Sequence, residues 1–207
     1  KRILKIMRGI KMKKTRHCKD DAPTFEELRE LIKISEKGKH PVQDKFILTC
    51  MGRLGMRRGE LGHIKKTWVN FSKKIIKIPM HEPCSCYFCK RQYKRKHKKD
   101  HASDEEVERE YWKPKTKNGA RPIPYHFDPD IVEAIESFFS KYDEWPMNLG
   151  QISKRTSKLF EKLGINSYNH ALRAGSATKF VFDGMSPYGL KAIMGWEDIS
   201  VAENYIA

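Results

Sequence analysis

Two short stretches near the carboxyl end carry most of the information about the fold: NHALR at residues 169–173 and MGWEDISVAENY at residues 194–205. In the first stretch, His170 and Arg173 lie three residues apart near the start of a segment with helical periodicity, so both side chains project from one helix face. Such a pair would direct an imidazole and a guanidinium at one target. Because a His–Arg pair alone is more often a solvated helix face, its interpretation depends on the rest of the chain.

Other residues of complementary chemistry occur in a fixed order around this pair. In chain order the set is Arg57 in GMRRGEL (55–61), Lys115 or Lys117 in KPKTKNGARPIP (113–124), His170, Arg173, Trp196 and Tyr205. Tyr205 follows Trp196 by nine residues. The set resembles the tyrosine recombinase (phage integrase) family. That family has an Arg in a G-[LM]-R-x-x-E-L box, a hairpin Lys, an H-x-x-R box, and a nucleophilic Tyr nine residues after a G-[HW] dipeptide.

The resemblance covers roughly residues 23–207 and implies the fold of the tyrosine recombinase catalytic domain, which is mainly α with a small antiparallel β-sheet (α+β). It also implies a site-specific DNA recombinase, or integrase, that cleaves and rejoins DNA strands through a 3′-phosphotyrosyl intermediate. The Met194-Gly195-Trp196 segment, together with an insertion at about 81–111, looks most like integrases of archaeal viruses and mobile elements.

The residue types suit this chemistry. A phosphodiester attacked by a phenol gains charge on its non-bridging oxygens, and the guanidiniums of Arg57 and Arg173 would supply fixed, always-charged donors for them. Only about 0.1% of a Tyr with a pKa near 10 is phenolate at pH 7, so Tyr205 requires a base that removes its proton. His170 is the candidate base. By resemblance, the Trp196 indole would hydrogen-bond the phosphate. The guanidiniums take the place of a divalent ion, so catalysis needs no cofactor.

A hairpin lysine is the candidate general acid for the departing 5′-oxygen. Many relatives read P-K-T-x-x-x-x-R-x-[IV]-P at this place, which favours Lys115 over Lys117. We expect Glu60 to position Arg57 or a backbone amide rather than to transfer protons. Ala174 departs from the family, which often has His after the second Arg, although this position is outside the minimal chemical set.

The composition favours a polyanionic partner. The 207 residues contain 42 Lys and Arg and 26 Asp and Glu, a formal net charge of +16. Residues 1–19 contain nine basic residues and residues 90–99 contain seven, with no acidic residue in either segment. We therefore predict double-stranded DNA as the partner. The predicted DNA contacts are Lys90, Arg91, Lys94, Arg95, Lys117 and Arg121.

Three of the five cysteines lie in CSCYFC at residues 84–89, a clustering typical of a metal loop rather than of a secreted disulfide framework. The candidate ligands of a structural zinc are His81, Cys84, Cys86 and Cys89. The single-residue gap between two of the cysteines crowds a tetrahedral site, so His97 or His101 is an alternative fourth ligand. The competing interpretation is reduced cysteines in a loop packed by Tyr87 and Phe88.

The pattern along the chain predicts a basic arm or linker at 1–22 and a catalytic domain at 23–207. Thr24 and Glu27 form a predicted capping box at the first helix. We expect strands at 68–71, 75–79 and 120–125, with the insertion between the last two. The resemblance implies an amino-terminal DNA-clamping domain and an exchanged tail helix, neither of which lies in these residues. The full-length protein is therefore expected to be longer and to form a tetramer on DNA.

The chain has no apolar run near the roughly 20 residues that a bilayer requires and no signal peptide, so we expect an intracellular protein. Three other functions stay open. A type IB topoisomerase-like or resolvase enzyme shares the residue set, whereas a non-catalytic, zinc-stabilised DNA-binding module lacks activity. A metal-dependent nuclease would use Asp128, Asp130 and Glu133, although carboxylates at a helix start are the favoured interpretation there.

Overall fold

A computed structural model of the protein describes residues 19–96 and 111–206. Nine α-helices occur in this part of the chain: α1 Phe25–Glu36, α2 Pro41–Leu48, α3 Arg58–Leu61, α4 Tyr87–Lys96, α5 Pro129–Phe139, α6 Leu149–Leu163, α7 Asn169–Phe182, α8 Pro187–Met194 and α9 Ser200–Ile206. A π-helical turn, Thr49–Arg53, continues α2. Most of the predicted basic arm, together with His97 and His101, lies outside the described residues.

Local capping signals set the ends of several helices, as the sequence predicts. At the start of α1, the Glu27 amide donates to the Thr24 hydroxyl over 3.1 Å, and the Glu27 carboxylate accepts from the Thr24 amide over 2.7 Å. Asn148 caps α6 and Ser186 caps α8 through their side chains. The starts of these three helices are therefore decided by residues next to each helix.

Two small antiparallel sheets interrupt the helices. The first has the strand order β1–β2–β5, with β1 Val69–Asn70, β2 Ile75–Lys77 and β5 Pro122–Pro124. These strands lie at the three predicted places, and Ile76 pairs with Ile123 across β2 and β5. The second sheet pairs β3, Glu82–Pro83, with β4, Tyr111–Trp112, and was not predicted from the sequence. It joins the two ends of the segment between β2 and β5.

The core lies between the helices and the first sheet. Phe46 of α2 stacks on Phe138 of α5 with ring centroids 3.7 Å apart, and Leu31 of α1 and Ile152 of α6 are fully buried nearby. A smaller apolar cluster joins the last three helices; its buried members are Ala177, Phe180, Leu190, Ile193, Met194 and Ala202. This cluster fixes α9, the helix that carries Tyr205. None of the helices in the described ranges is long and apolar enough to cross a membrane.

Candidate active site

Glu60 is the buried anchor of a cluster of arginines. It lies in α3, which begins just after Arg57, and it is 1% exposed. Its carboxylate accepts from the Arg57 amide over 2.8 Å and from Arg57 Nη1 over 2.9 Å, as expected of a positioning residue. Burial alone would raise the pKa of Glu60, but the charges of Arg121, Arg173 and Arg57 outweigh it and lower that pKa. Glu60 is therefore a carboxylate.

Arg121 completes this anchor instead of facing DNA. Its Nη1 and Nη2 donate to the Glu60 carboxylate over 2.8 and 3.1 Å, and its Nε donates to the Ile193 carbonyl over 2.6 Å. The residue is 6% exposed. The sequence-based assignment of Arg121 as a DNA contact does not fit the structure, because its guanidinium is enclosed and its donors are engaged by the protein.

Arg173 extends from α7 toward Arg57 and is buried. Its two terminal nitrogens donate to the carbonyl oxygens of Gly55 and Met194, which fixes the plane of the guanidinium. Burial and the neighbouring charge of Arg57 lower the pKa of Arg173 to about 9, so the group is still protonated at neutral pH. Two guanidiniums that repel each other at a fixed separation favour an anion between them.

His170 lies one turn before Arg173 on the same helix and is solvent-exposed as a residue. Partial burial of the ring is the main cause that lowers the pKa of His170 below its usual value. The positive charges of Arg173, Lys115 and Arg57 lower this pKa further. The imidazole is therefore neutral at pH 7 and able to accept a proton. Because the charge of Lys115 acts on the pKa of His170, Lys115 lies close enough to interact electrostatically with this histidine.

Tyr205 and Trp196 form the other wall of the site. Their rings stack with centroids 5.4 Å apart and planes inclined by 21°. Tyr205 is half-buried on α9 and is one of the groups whose charge acts on the pKa of Arg173. The structure therefore brings together Arg57, His170, Arg173, Trp196 and Tyr205, which lie up to 148 residues apart in the chain (205 − 57 = 148).

Gly195 holds the segment with the two lysines against this wall. Its carbonyl oxygen accepts from Arg57 Nη2 over 2.8 Å and from the Thr116 hydroxyl over 3.2 Å. The Asn118 side-chain amide donates to the Trp196 carbonyl over 3.1 Å. Lys115 and Lys117 are both exposed beside these contacts, and only Lys115 is among the charges that act on His170.

Gly195→Ala should destabilise both the fold and the site. Gly195 has a φ of 60°, and a Cβ atom there would lie 2.7 Å from the Asn118 carbonyl oxygen and 2.9 Å from Arg121 Cδ. We expect the free energy of unfolding, measured by thermal denaturation, to fall by about 2 kcal/mol or more, because the backbone strain and the steric clash both destabilise the folded state. Gly164→Ala is the matched control, since Gly164 has a φ of 73° and open space around a Cβ. Equal losses in the two variants would contradict the close packing around Gly195.

The basic helix α4 carries four of the predicted DNA contacts. Arg91, Lys94 and Arg95 are exposed, and Lys90 is half-buried. Residues 87–96 contain no acidic residue. The helix therefore presents a concentrated positive charge on the surface of the domain.

A second cluster of polar side chains lies at the base of α4. The Sγ atoms of Cys84, Cys86 and Cys89 and a ring nitrogen of His63 all lie within 4.8 Å of one another. Burial raises the pKa of the Cys84 and Cys89 thiols. The structure thus groups the three predicted cysteines with His63, whereas the predicted ligand His81 is not in the group.

The sequence could not indicate His63, because it precedes Cys84 by 21 residues (84 − 63 = 21) and lies beside the Arg57 box rather than in the cysteine loop. The fold brings the two segments together. His63 lies two residues after the end of α3, and only its burial in the fold indicates that its ring needs a partner.

The carboxylates considered for a nuclease have structural roles. Asp128 is the N-cap of α5, where it accepts from the Asp130 amide over 2.8 Å, and it also pairs with Arg53. Glu133 pairs with Lys45 over 2.6 Å. The favoured interpretation, that Asp128 is a carboxylate at the start of a helix, is therefore confirmed.

Comparison with known proteins identifies the family. The model of the phage integrase family matches residues 23–207. The chain belongs to this family. A comparison with curated proteins found no match. Among solved structures, this integrase-family chain is similar in fold to the Tn1549 transposon integrase in complex with circular intermediate DNA. The TM-score is 0.69 and the sequence identity is 16%, and the match covers 94% of this chain and 64% of that chain.

Two further structures show the same fold. The XerA recombinase matches with a TM-score of 0.63 and 16% identity over 96% of this chain and 62% of that chain. A lambda integrase dimer bound to a COC′ core site matches with a TM-score of 0.59 and 13% identity over 90% of this chain and 48% of that chain. This integrase-family chain thus spans less than two thirds of the length of these proteins. The predicted fold class, mainly α with a small antiparallel sheet, is confirmed.

Proposed function

We propose that this chain is the catalytic part of a site-specific DNA recombinase that cleaves and rejoins double-stranded DNA through Tyr205. The observation that carries the proposal is the convergence of two fixed guanidiniums and a neutral imidazole on a half-buried tyrosine. Phosphoryl transfer without a cofactor requires such a set, because positioning and charge stabilisation provide most of the rate acceleration.

Arg57 and Arg173 bind the scissile phosphate. Each guanidinium has five N–H donors, and protein acceptors already fix its plane: Glu60 and Gly195 for Arg57, Gly55 and Met194 for Arg173. The donors directed at the phosphate are therefore preorganised, and little reorganisation is needed when charge develops on the non-bridging oxygens.

The transfer step is a transesterification. The Tyr205 oxygen bonds to phosphorus as its proton passes to His170, and the bond from phosphorus to the 5′-oxygen breaks. Lys115 donates a proton to that leaving oxygen, which becomes a free 5′-hydroxyl, and the 3′-phosphate stays on Tyr205 as an ester. Attack by a 5′-hydroxyl reverses the step and reseals a strand, so the energy of the broken bond is retained.

The first test is adduct formation on a nicked duplex that carries an end of the mobile element encoding the chain. The short fragment beyond the nick diffuses away after cleavage, so the phosphotyrosyl ester accumulates and migrates as a covalent complex under denaturing conditions. A type IB topoisomerase-like enzyme or a resolvase would form the same ester. Transfer of the cleaved strand to a second duplex favours the recombinase, and relaxation of supercoiled DNA without transfer favours the topoisomerase.

Cleavage should not depend on added divalent cations. With guanidiniums providing the charge stabilisation, the single-turnover rate at saturating DNA should lie within about threefold in EDTA and in Mg²⁺, because removal of any structural zinc by EDTA lowers DNA affinity rather than the rate of the bound complex. The measurement is adduct formation over time in both buffers, with thermal melting recorded in parallel. Cleavage that requires added Mg²⁺ while melting is unchanged would instead favour a metal-dependent nuclease.

The remaining aspects of the proposed function rest on the resemblance and on charge. A tetramer on DNA, a position inside the cell and an origin in an archaeal virus or mobile element belong to the same proposal. The cysteine cluster takes no part in the transesterification, so any zinc it binds has a structural role.

A further inference from the structure

We propose that His63, Cys84, Cys86 and Cys89 bind one zinc ion, and that this ion fixes the basic helix α4 to the segment that carries Arg57. His63 replaces His81 as the fourth ligand. The site lies outside the residues that carry out the transesterification.

The interatomic distances suit a tetrahedral zinc site. Zinc–sulfur bonds of about 2.3 Å and zinc–nitrogen bonds of about 2.0 Å place sulfur and nitrogen ligands about 3.5 Å apart in a tetrahedron. His63 Nε2 lies 3.5 Å from the Cys86 Sγ and 3.3 Å from the Cys89 Sγ. Three thiolates and one imidazole form a Cys₃His set, which is typical of structural zinc.

Neighbouring groups already orient these ligands. His63 Nδ1 lies 2.7 Å from the Gly59 carbonyl oxygen, so the ring proton is on Nδ1 and the Nε2 lone pair faces the cysteines. The Cys86 amide donates to the Cys84 Sγ over 3.5 Å, and the Cys89 amide donates to the Cys86 Sγ over 3.4 Å. Amide donors to sulfur stabilise thiolates, the form that binds metal.

The competing interpretation of a loop packed by aromatic side chains does not explain the cluster. Tyr87 is 78% exposed and Phe88 is 37% exposed, so neither aromatic side chain is part of the core. Cys89 and His63 are nevertheless 6% and 8% exposed. A buried imidazole that faces three thiols, rather than an apolar packing of the loop, points to a bound cation.

The proposed ion connects three segments of the chain. His63 follows α3, which begins after Arg57, and its Nδ1 partner Gly59 is within α3. Trp112 of β4 stacks on the His63 ring with centroids 5.1 Å apart. Cys89 lies in the first turn of α4. The ion therefore closes the base of the segment between β2 and β5 and orients α4 relative to the active site.

Metal content tests the ligand set. The purified wild-type chain should contain one zinc per molecule, and Cys86→Ser and His63→Ala should each reduce this to less than about a tenth. His81→Ala is the matched control and should retain one zinc. Because His63 is buried and its variant can misfold, Co²⁺ replacement of the wild type gives a second readout: the visible absorption bands of tetrahedral cobalt–thiolate should appear with one equivalent and disappear in Cys86→Ser.

Three results would overturn the ligand set: wild-type protein that is folded without bound zinc, a disulfide among the three cysteines, or loss of zinc in His81→Ala.

Salt-dependent DNA binding tests the role of the ion. With a labelled duplex of arbitrary sequence, each phosphate contact contributes about −0.9 to the slope of log K against log salt concentration. If zinc orients α4, Cys86→Ser should have a slope that is shallower by about 2 to 4. The wild type stripped of zinc by EDTA should show the same change, and re-addition of zinc should reverse it. An unchanged slope in a zinc-free, folded protein would overturn the proposed link between the ion and α4.

Discussion

Tyr205→Phe should eliminate the covalent protein–DNA adduct while DNA affinity stays within about twofold of the wild type. The substitution removes only the attacking oxygen, and the Phe ring preserves the stack on Trp196, whose centroid lies 5.4 Å away. Loss of a nucleophile lowers rates by on the order of 10⁶ in a serine protease, so no adduct should be detectable here. The measurement is denaturing electrophoresis after incubation with the nicked duplex.

Tyr188→Phe is the control for this experiment. Tyr188 is a 78% exposed tyrosine on the preceding helix, α8, and its variant should form the adduct at the wild-type rate. If Tyr205→Phe retains the adduct, the nucleophile is another residue. If the wild type and both variants bind DNA without any adduct, the chain is a DNA-binding module without activity.

The charge balance supports the proposed phosphodiester substrate. Three guanidiniums, those of Arg57, Arg121 and Arg173, act on the single carboxylate of Glu60, which leaves two positive charges uncompensated within the cluster (3 − 1 = 2). A phosphodiester carries one negative charge, and a phosphorane-like transition state carries two. The uncompensated charge therefore matches the transition state better than the substrate, which is the condition for catalysis by differential binding.

The sequence predicted the features that depend on neighbouring residues. The Thr24–Glu27 capping box, the Asp128 cap and the His170–Arg173 pair each involve residues two or three apart, and their interactions are decided within one helical turn. Short runs of strand-forming residues, two of them separated by the polar turn 72–74, indicated the three strands of the first sheet in the same way. These local signals agree with the fold class that the resemblance to the family implies.

The features that the sequence did not predict depend on contacts between distant segments. Arg121 lies in a basic stretch typical of a phosphate contact, yet it is buried against Glu60, 61 residues earlier. His63 likewise lies beside Cys89, 26 residues later, through a contact between distant segments. Both contacts escape sequence analysis for one reason: a charged or polar residue can be assigned to a surface or to a buried partner only when the packing is known.

Lys115→Ala should lower the rate of strand cleavage by roughly 10²- to 10⁴-fold, the effect typical of a lost general acid. Lys115 is the exposed lysine whose charge acts on His170, which places it beside the reacting groups. Lys117→Ala is the matched control two residues away, and it should weaken binding only through a phosphate contact. The measurement is the single-turnover rate of adduct formation on the nicked duplex.

A substrate with sulfur at the 5′-bridging position separates proton donation from charge stabilisation. A thiolate leaves without a proton, so this substrate should restore most of the rate of Lys115→Ala. It should restore little in Arg173→Ala, because the lost interaction there is with the non-bridging oxygens. Rescue of Lys117→Ala instead would move the general acid two residues along the chain. If sulfur rescues neither lysine variant, the proton comes from another group, and the lysine held beside Gly195 is only a phosphate contact.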